Sequence, residues 1–476
     1  MEQAERVAWV LAELGRREGW LLVFDNAERP GDLDGLLPTG GRGQVLVTSR
    51  NPVWGRLATP LRVDVLAQEE AEAFLLRRSG DTDRAVAAGL AEELGGLPLA
   101  LEQAAAYCEQ TSLGLAGYLD RYRRAHTRLL GKGAPEDYPA TVATTWRLNL
   151  NQLAASSPAA VQLLRVGAFL APEAIPPDLL DADLEGLPAE LAEAAEDELL
   201  LDETVGALYR YSLMTRDHDG IRVHRLVQTV VRANLADQEP EWASLAMRLV
   251  WAAFPADSLE VAVWPICERL LAHALAAADH TERLQVGGEQ TGDLLQRASM
   301  YLRARGQPWQ ARPLAERALA LTEQVLGPDH PITGDRHNEL GLALREAGDY
   351  QAARQQLERA LAIHKTANGS DHSSVGYRHS ELGAVLRGLG DLDGARTQHE
   401  RALEITKATL GPDHPNMAAW HSNLGLVLAS LGDRAGARTH HERALAIDEA
   451  VLATDHPMVA MDRFNLEQIF LKLGQQ

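Results

Sequence analysis

The sequence predicts a mainly α-helical chain with a small α/β part near its start and a helical solenoid at its end. Two observations carry this. Motifs recur at a constant interval of 42 residues through the last two fifths of the chain. Near the start, short apolar runs alternate with turn-rich segments, as buried parallel strands do. Helical periodicity fills the stretch between.

Composition narrows the function classes. The chain has 476 residues, 46% hydrophobic and 24% charged, with a formal net charge of −21. Such an acidic balance argues against a broad nucleic-acid surface, which needs clustered positive charge. Residues 1–286 carry a net −17, whereas 287–476 carry −4 and 11 of the 16 histidines, so two kinds of module are expected. Two distant cysteines, Cys108 and Cys267, make no disulfide framework and no metal motif, and fit a reducing cytoplasmic compartment. The N-terminus has acids where a secretion signal has bases, and no run of 18 apolar residues occurs, so no membrane span is expected.

Residues 1–66 hold three strand candidates. WLLVF at 20–24 ends in Asp25-Asn26, QVLVT at 44–48 ends in Ser49-Arg50, and LRVDVL spans 61–66. Strand ends carrying acid and arginine mark a ligand crevice at a sheet edge. Residues 67–138 read as a helical bundle, with helices over 69–78, 85–94 and 99–110. Residues 139–236 read as helices followed by a small hairpin around a DHDG turn at 217–220, then a helix over 225–235. Residues 237–286 read as connecting helices packed through Trp242, Trp251 and Trp264.

Residues 287–476 hold the repeats. GPDHP at 327–331 returns as GSDHS at 369–373, GPDHP at 411–415 and ATDHP at 453–457; ERAL at 316–319 returns at 358, 400 and 442. Each unit reads as two amphipathic helices, with Gly341, Gly383 and Gly425 at a close helix–helix approach and Ala353, Ala395 and Ala437 opposite. Pro331, Pro415 and Pro457 suit the first turn of a helix, and Asp329, Asp413 and Asp455 lie just upstream, where a carboxylate favours the positive helix end. A closing helix is expected over 459–473. His337, His379 and His421 share one register; helices 8–10 Å apart cannot bring them to one ion, so core packing is expected.

These repeats resemble tetratricopeptide repeats of the kinesin light chain type, on the residues Leu340-Gly341-x-x-Leu344, Gly348 to Ala353, and ERAL followed by GPDHP. The resemblance implies a superhelix whose concave face is lined by the first helix of each pair, and protein or peptide partners in that groove. In its register the groove positions include Asp293, Gln296, Arg303, Asp335, Asn338, Arg345, Tyr377, Ser380, Arg387 and Ser422. Arg303, Arg345 and Arg387 form a ladder that Ala429 ends. The ladder suits acidic or C-terminal peptides; alternatively it is a solvated face paired to Glu339, Glu346 and Glu381.

The N-terminal half resembles the NB-ARC domain of STAND-class regulatory ATPases. LLVFDN looks like the Walker B segment, with Asp25 as the magnesium-associated carboxylate and Asn26 where a second acid is common. GQVLVTSR looks like the following strand, with Ser49 at its end and Arg50 as the sensor of the terminal phosphate. GGLPLA at 95–100 matches the family's GLPLA, implying that Pro98 packs near adenine. VHRLVQ at 223–228 matches the MHD-like motif, implying that His224 contacts the β-phosphate of ADP. The implied folds are a truncated P-loop-like parallel sheet, a helical ARC1-like bundle and a winged-helix ARC2-like lid. One departure dominates. No GK[ST] occurs, the lone Gly131-Lys132 is followed by Gly133, and 24 residues precede Asp25. A P-loop needs backbone amides and a lysine around the phosphates, so ADP or ATP with magnesium is expected to bind weakly or not at all, and NTPase activity is not expected. The resulting expectation is a regulatory protein working by protein or peptide binding. The alternatives are an ADP/ATP switch forming part of a longer ATPase, and a transcriptional regulator, which the charge disfavours.

Overall fold

The computed structural model describes residues 3–25, 27, 29–40, 42–49, 54–55, 57–61, 63–111, 113–130, 150, 153–210, 213–216, 220–452 and 456–474. It divides into two compact units, Met1–Ala253 and Phe254–Gln476. The chain is mainly helical, with small sheet parts confined to the first unit.

The first unit opens with α1 (Gln3–Arg16), then β1 (Glu18–Phe24) and β2 (Arg42–Val47). The strands pair in parallel, Leu22 opposite Val45 and Phe24 opposite Val47. Trp20 anchors the sheet: its indole N–H donates to the Leu14 carbonyl at 2.8 Å, and its ring lies so close over Gly43 that a Cβ there would meet it at 2.0 Å. Leu21, Val23 and Leu46 stand exposed on one face. Among the described residues of 61–66 the expected strand does not form. Leu61 and Val63 are 86% and 89% exposed. Alternation alone selects an extended backbone; without a neighbouring ladder to bury its apolar side, no strand results. The segment is instead pinned at one end, where Leu66 N–H donates to the Gly96 carbonyl at 2.9 Å.

The expected bundle is present as α2 (Gln68–Ser79), α3 (Arg84–Glu93), α4 (Pro98–Thr111) and α5 (Leu115–Leu130). Asp83 caps α3, accepting from Val86 N–H at 3.1 Å. Leu75, Leu90, Leu101, Leu115 and Tyr118 make its buried core. Next come α6 (Pro158–Gly167), a 3-10 segment over Pro177–Gly186, α7 (Ala189–Glu196) and α8 (Glu198–Arg210). A two-residue hairpin follows, β3 (Thr215–Arg216) against β4 (Ile221–Arg222), then α9 (Arg225–Leu235) and α10 (Glu239–Ala253). Helices followed by a small hairpin are therefore as expected. Ile175 adds a third edge, exchanging two hydrogen bonds with Ile221 at 2.7 and 3.1 Å. The expected turn residues 217–219 and the Gly131-Lys132 segment lie outside the described residues.

The expected linker over 237–286 is not one element. α10 packs in the first unit, with Trp242 buried beneath Arg165, while α11 (Trp264–Leu284) belongs to the second. Among the described residues, Val261–Leu284 is long and apolar enough to cross a membrane by length and composition alone. That tempers the sequence expectation. In this structure it packs on the next helix, with Thr281 Oγ1 3.0 Å from Thr291 Oγ1, while Asp279 and Glu282 hold Arg317.

The repeats follow as α12 (Gly288–Ala304), α13 (Pro308–Leu326), α14 (Pro331–Glu346), α15 (Tyr350–Asn368), α16 (Ser373–Gly388), α17 (Leu392–Leu410), α18 (Pro415–Leu431), α19 (Arg434–Val451) and α20 (Pro457–Gly474). Successive helices pack on one another as in a solenoid. The glycines serve as expected, but their main partner differs. A Cβ on Gly341 would strike Leu357 at 2.8 Å, on Gly383 His399 at 2.7 Å, and on Gly425 His441 at 2.7 Å. The small residue on the first helix thus admits a large one on the second, with Ala353, Ala395 and Ala437 buried beside it. The DHP motifs also resolve differently. His330, His372 and His414 cap their helices, each Nδ1 accepting the N–H two residues on at 3.2 Å. The preceding acids pair instead with the arginines of the next ERAL: Asp329 with Arg359 at 2.7 Å, Asp371 with Arg401, and Asp413 with Arg443. Asp455 lies outside the described residues.

Candidate functional site

The first unit brings two of the sequence motifs into direct contact. His224 is the N-cap of α9: its Nδ1 accepts from Leu226 N–H at 3.2 Å, which leaves the proton on Nε2, 3.3 Å from the Gly95 carbonyl oxygen. Burial lowers the ring's proton affinity, the Gly95 contact opposes this, and the net direction is down. Gly95 is required twice over. Its φ is +61°, and a Cβ would meet His224 Nε2 at 2.4 Å. Arg225 strengthens the joint, donating to the Glu92 carbonyl at 2.6 Å, and Leu226 and Val230 enter the bundle core. Pro98 sits at the first position of α4, exposed, where its missing N–H costs nothing.

The strand-end residues form a separate small network. Asp25 accepts the Thr48 hydroxyl, and Ser49 Oγ donates to the Ala27 carbonyl at 2.7 Å. Asn26 and Arg50 lie outside the described residues. Among the described residues, no group of three or more His, Cys, Asp or Glu side chains is disposed to hold a metal ion.

In the second unit, the expected arginine ladder is largely neutralised. Arg303 is 11% exposed; its Nε lies 2.8 Å from Glu339 and a second nitrogen contacts Glu346. Burial opposes the charge, yet the two carboxylates hold it above its ordinary range. Arg345 pairs with Glu381 and, at 3.6 Å, with Glu346. At these two rungs the paired alternative holds, with the glutamates it named, and the reading as free groove cations does not. The bond runs from each arginine to the glutamate 36 residues on, and at the third rung that position is Asn423. Arg387 is exposed and, among the described residues, has no carboxylate partner.

Four of the expected groove residues share one register on α12, α14, α16 and α18: Gln296, Asn338, Ser380 and Ser422, all at least nine-tenths buried. Among the described residues, Gln296 Oε1, Asn338 Oδ1 and Ser380 Oγ have no hydrogen-bond partner, whereas Ser422 donates to Asp462 at 2.9 Å. Asp293 and Asp335 receive Arg336 and Arg378 from the next repeat. For Asp335, burial raises the pKa but His364 and Arg378 outweigh it, leaving it lowered. One repeat further, Tyr377 and Trp420 occupy the same two positions, edge to face at 5.7 Å. Of the same-register histidines, His337 and His379 are buried as expected, bonded to Gln356 at 2.7 Å and Gln398 at 2.6 Å, while His421 is partly exposed. His421 meets His440 at 2.8 Å.

Comparison with known proteins agrees with the repeat reading. A tetratricopeptide repeat model matches residues 290–366, 378–450 and 417–476. A domain of unknown function (DUF7779) matches residues 151–240. A nucleotide-binding leucine-rich repeat (NLR)-like protein of Hyaloscypha variabilis is 26% identical over 355 residues, covering 66% of this chain. The chain spans about a third of that relative, 34% of its length. Among solved structures, tetratricopeptide-like repeats of a putative kinesin light chain from Podospora anserina are 24% identical over 41% of this chain and 89% of theirs, with a TM-score of 0.34. A STAND protein with a tetratricopeptide repeat sensor from Pyrococcus horikoshii is 13% identical, covers 99% of this chain and 81% of its own, and has a TM-score of 0.29. Residues 290–476 thus carry tetratricopeptide repeats, and the chain has an NLR-like relative.

Proposed function

We propose that this chain is a regulatory binding protein whose tetratricopeptide unit captures an acidic peptide segment, and whose N-terminal unit is a scaffold descended from a STAND-type nucleotide switch. The observation that carries the peptide reading is Arg387, the one exposed rung of its ladder without a glutamate among the described residues. A carboxylate on the peptide would pair with the guanidinium. Arg303 and Arg345, already held by glutamates, shape the face rather than bind.

The test restores the missing acid. A fluorescein-labelled pool of Asp/Glu-rich peptides with free C-termini is titrated with the full chain, and Asn423→Glu, which places a glutamate 36 residues after Arg387, is expected to weaken binding at least tenfold. A Lys-rich pool serves as control. Failure of wild type to prefer the acidic pool refutes the reading, as does unchanged binding by Asn423→Glu.

For nucleotide, the residues present do not fit a phosphate site. The sequence has no GK[ST], and both ring nitrogens of His224 are engaged within the protein. We infer that the GLPLA-like loop and His224 now join the bundle to α9, that NTPase activity is absent, and that the hairpin-bearing region is a lid-derived winged helix without a DNA role. Phosphate release that Asp25→Ala abolishes, or a thermal shift with ADP that His224→Ala removes, would overturn this.

A further inference from the structure

Where the second helix of one repeat meets the first helix of the next, a pair of residues 14 apart faces across the joint. Arg336 Nε donates to Thr322 Oγ1 at 3.4 Å, and Trp420 Nε1 to Thr406 Oγ1 at 3.1 Å. At the intervening joint His364 and Arg378 converge on Asp335. Each of these joints matches a donor to an acceptor. The last joint, between α19 and α20, breaks the rule with two acids, Asp448 and Asp462.

Both are 3% exposed, and their side chains lie against each other. Ser422 donates to Asp462 Oδ1 at 2.9 Å, while Asp448 Oδ2 has no hydrogen-bond partner among the described residues. The position that holds Asp293 or Asp335 at earlier joints is Ala419 here, and the arginine position is Asp462 itself, so the joint has lost its cation. Among the described residues, the other charged groups near it are few. His456, the N-cap of α20, faces Asp448; Arg463 is bound to Glu449 at 2.6 Å on the exposed side; the buried His441 lies on α19. Two ionised carboxylates can only accept, so their contact is repulsive. One shared proton turns it into a hydrogen bond and uses the idle oxygen.

We propose that α20 is latched to the array by a single proton shared between Asp448 and Asp462, and that loss of this proton loosens the terminal helix. Burial pushes the Asp462 carboxyl up to about 6 and raises Asp448 as well. A group whose folded pKa lies above its unfolded one stabilises at low pH and ceases to do so as pH rises through the folded value. From pH 5.5 to 7.5 the docking equilibrium of α20 is expected to fall about fourfold. The buried histidines of the array act in the opposite direction, so the two effects separate by sign.

The test is amide hydrogen exchange of the full chain at pH 5.5 and 7.5, corrected by an unstructured peptide of the α20 sequence, with α16 and α17 as internal reference. Protection of α20 is expected to fall about fourfold at pH 7.5. In Asp462→Asn, and independently in Asp448→Asn, the neutral amide should keep α20 protected at both values. A pH-invariant α20 in the wild type, or Asn variants with the wild-type pH dependence, would overturn the latch. So would calcium or magnesium chloride restoring protection at pH 7.5 only when both carboxylates are present, since the pair would then hold a metal.

Discussion

His399 and His441 make the sharpest test of how the repeats are packed. Each fills the space above a glycine, Gly383 or Gly425, and is at most 1% exposed. Neither ring nitrogen of His399, and not Nδ1 of His441, has a hydrogen-bond partner among the described residues. Burial drives both down to about 4, with Arg387 adding to the effect at His399 and His440 at His441. The folded pKa lies below the ordinary 6.5, so the unfolded chain binds more protons between those values. Stability is complete above pH 6.5 and is lost as pH falls towards 4. At pH 5 the loss is about 2 kcal/mol per ring, hence about 4 kcal/mol for both as an upper bound, because His440 couples to His441. The same register in the second repeat carries Leu357, which shows the size a leucine can take above a glycine. The double variant His399→Leu/His441→Leu should therefore fold, and its advantage over wild type should grow from near zero at pH 7.5 to several kcal/mol at pH 5. Urea unfolding followed by circular dichroism at both values measures this. Parallel pH profiles for the two proteins would refute the reasoning.

Other substitutions probe single contacts. Gly383→Ala forces a Cβ to 2.7 Å from the His399 ring, so despite the better helix propensity it should destabilise by about 1–3 kcal/mol in thermal melts. Gly95→Ala meets both a φ of +61° and the His224 ring, and should cost about 2–4 kcal/mol; adding His224→Ala should recover part of that loss. Arg401→Ala removes only exposed pairs with Asp371 and Glu404, and should change stability by less than about 1 kcal/mol.

The 42-residue period made the helical repeats legible almost to their ends, because Pro331 and Pro415 start helices and the glycines demand a close neighbour. What the period could not convey is which residues meet across it. Glu339, Glu346 and Glu381 are visible in the sequence as partners for the arginines, but the choice between paired and free arginines is settled by packing; the offset of 36 from Arg303 to Glu339 then makes Asn423 stand out as the exception. Asp329 was read as helix-end chemistry, but the adjacent histidine does the capping and leaves the acid to an arginine. In the first unit, the two paired strands were visible as apolar runs. The run over 61–66 alternates instead, and among its described residues no strand forms, because pairing depends on a neighbour that no local pattern encodes. GGLPLA and VHRLVQ were recognised as a pair by resemblance; their contact at Gly95 could not be derived from residues 129 apart.

The bonds between the acids at 329, 371 and 413 and the ERAL arginines join residues 30 apart in sequence, and the same offset recurs three times. Excising or duplicating a block of 42 residues between equivalent points of these repeats would thus leave each of their arginines opposite an aspartate. Such an array can grow or shrink through unequal recombination without relearning how to fold, while the aromatic pair Tyr377 and Trp420 and the acid pair at the far end mark the modules whose neighbours cannot be exchanged freely.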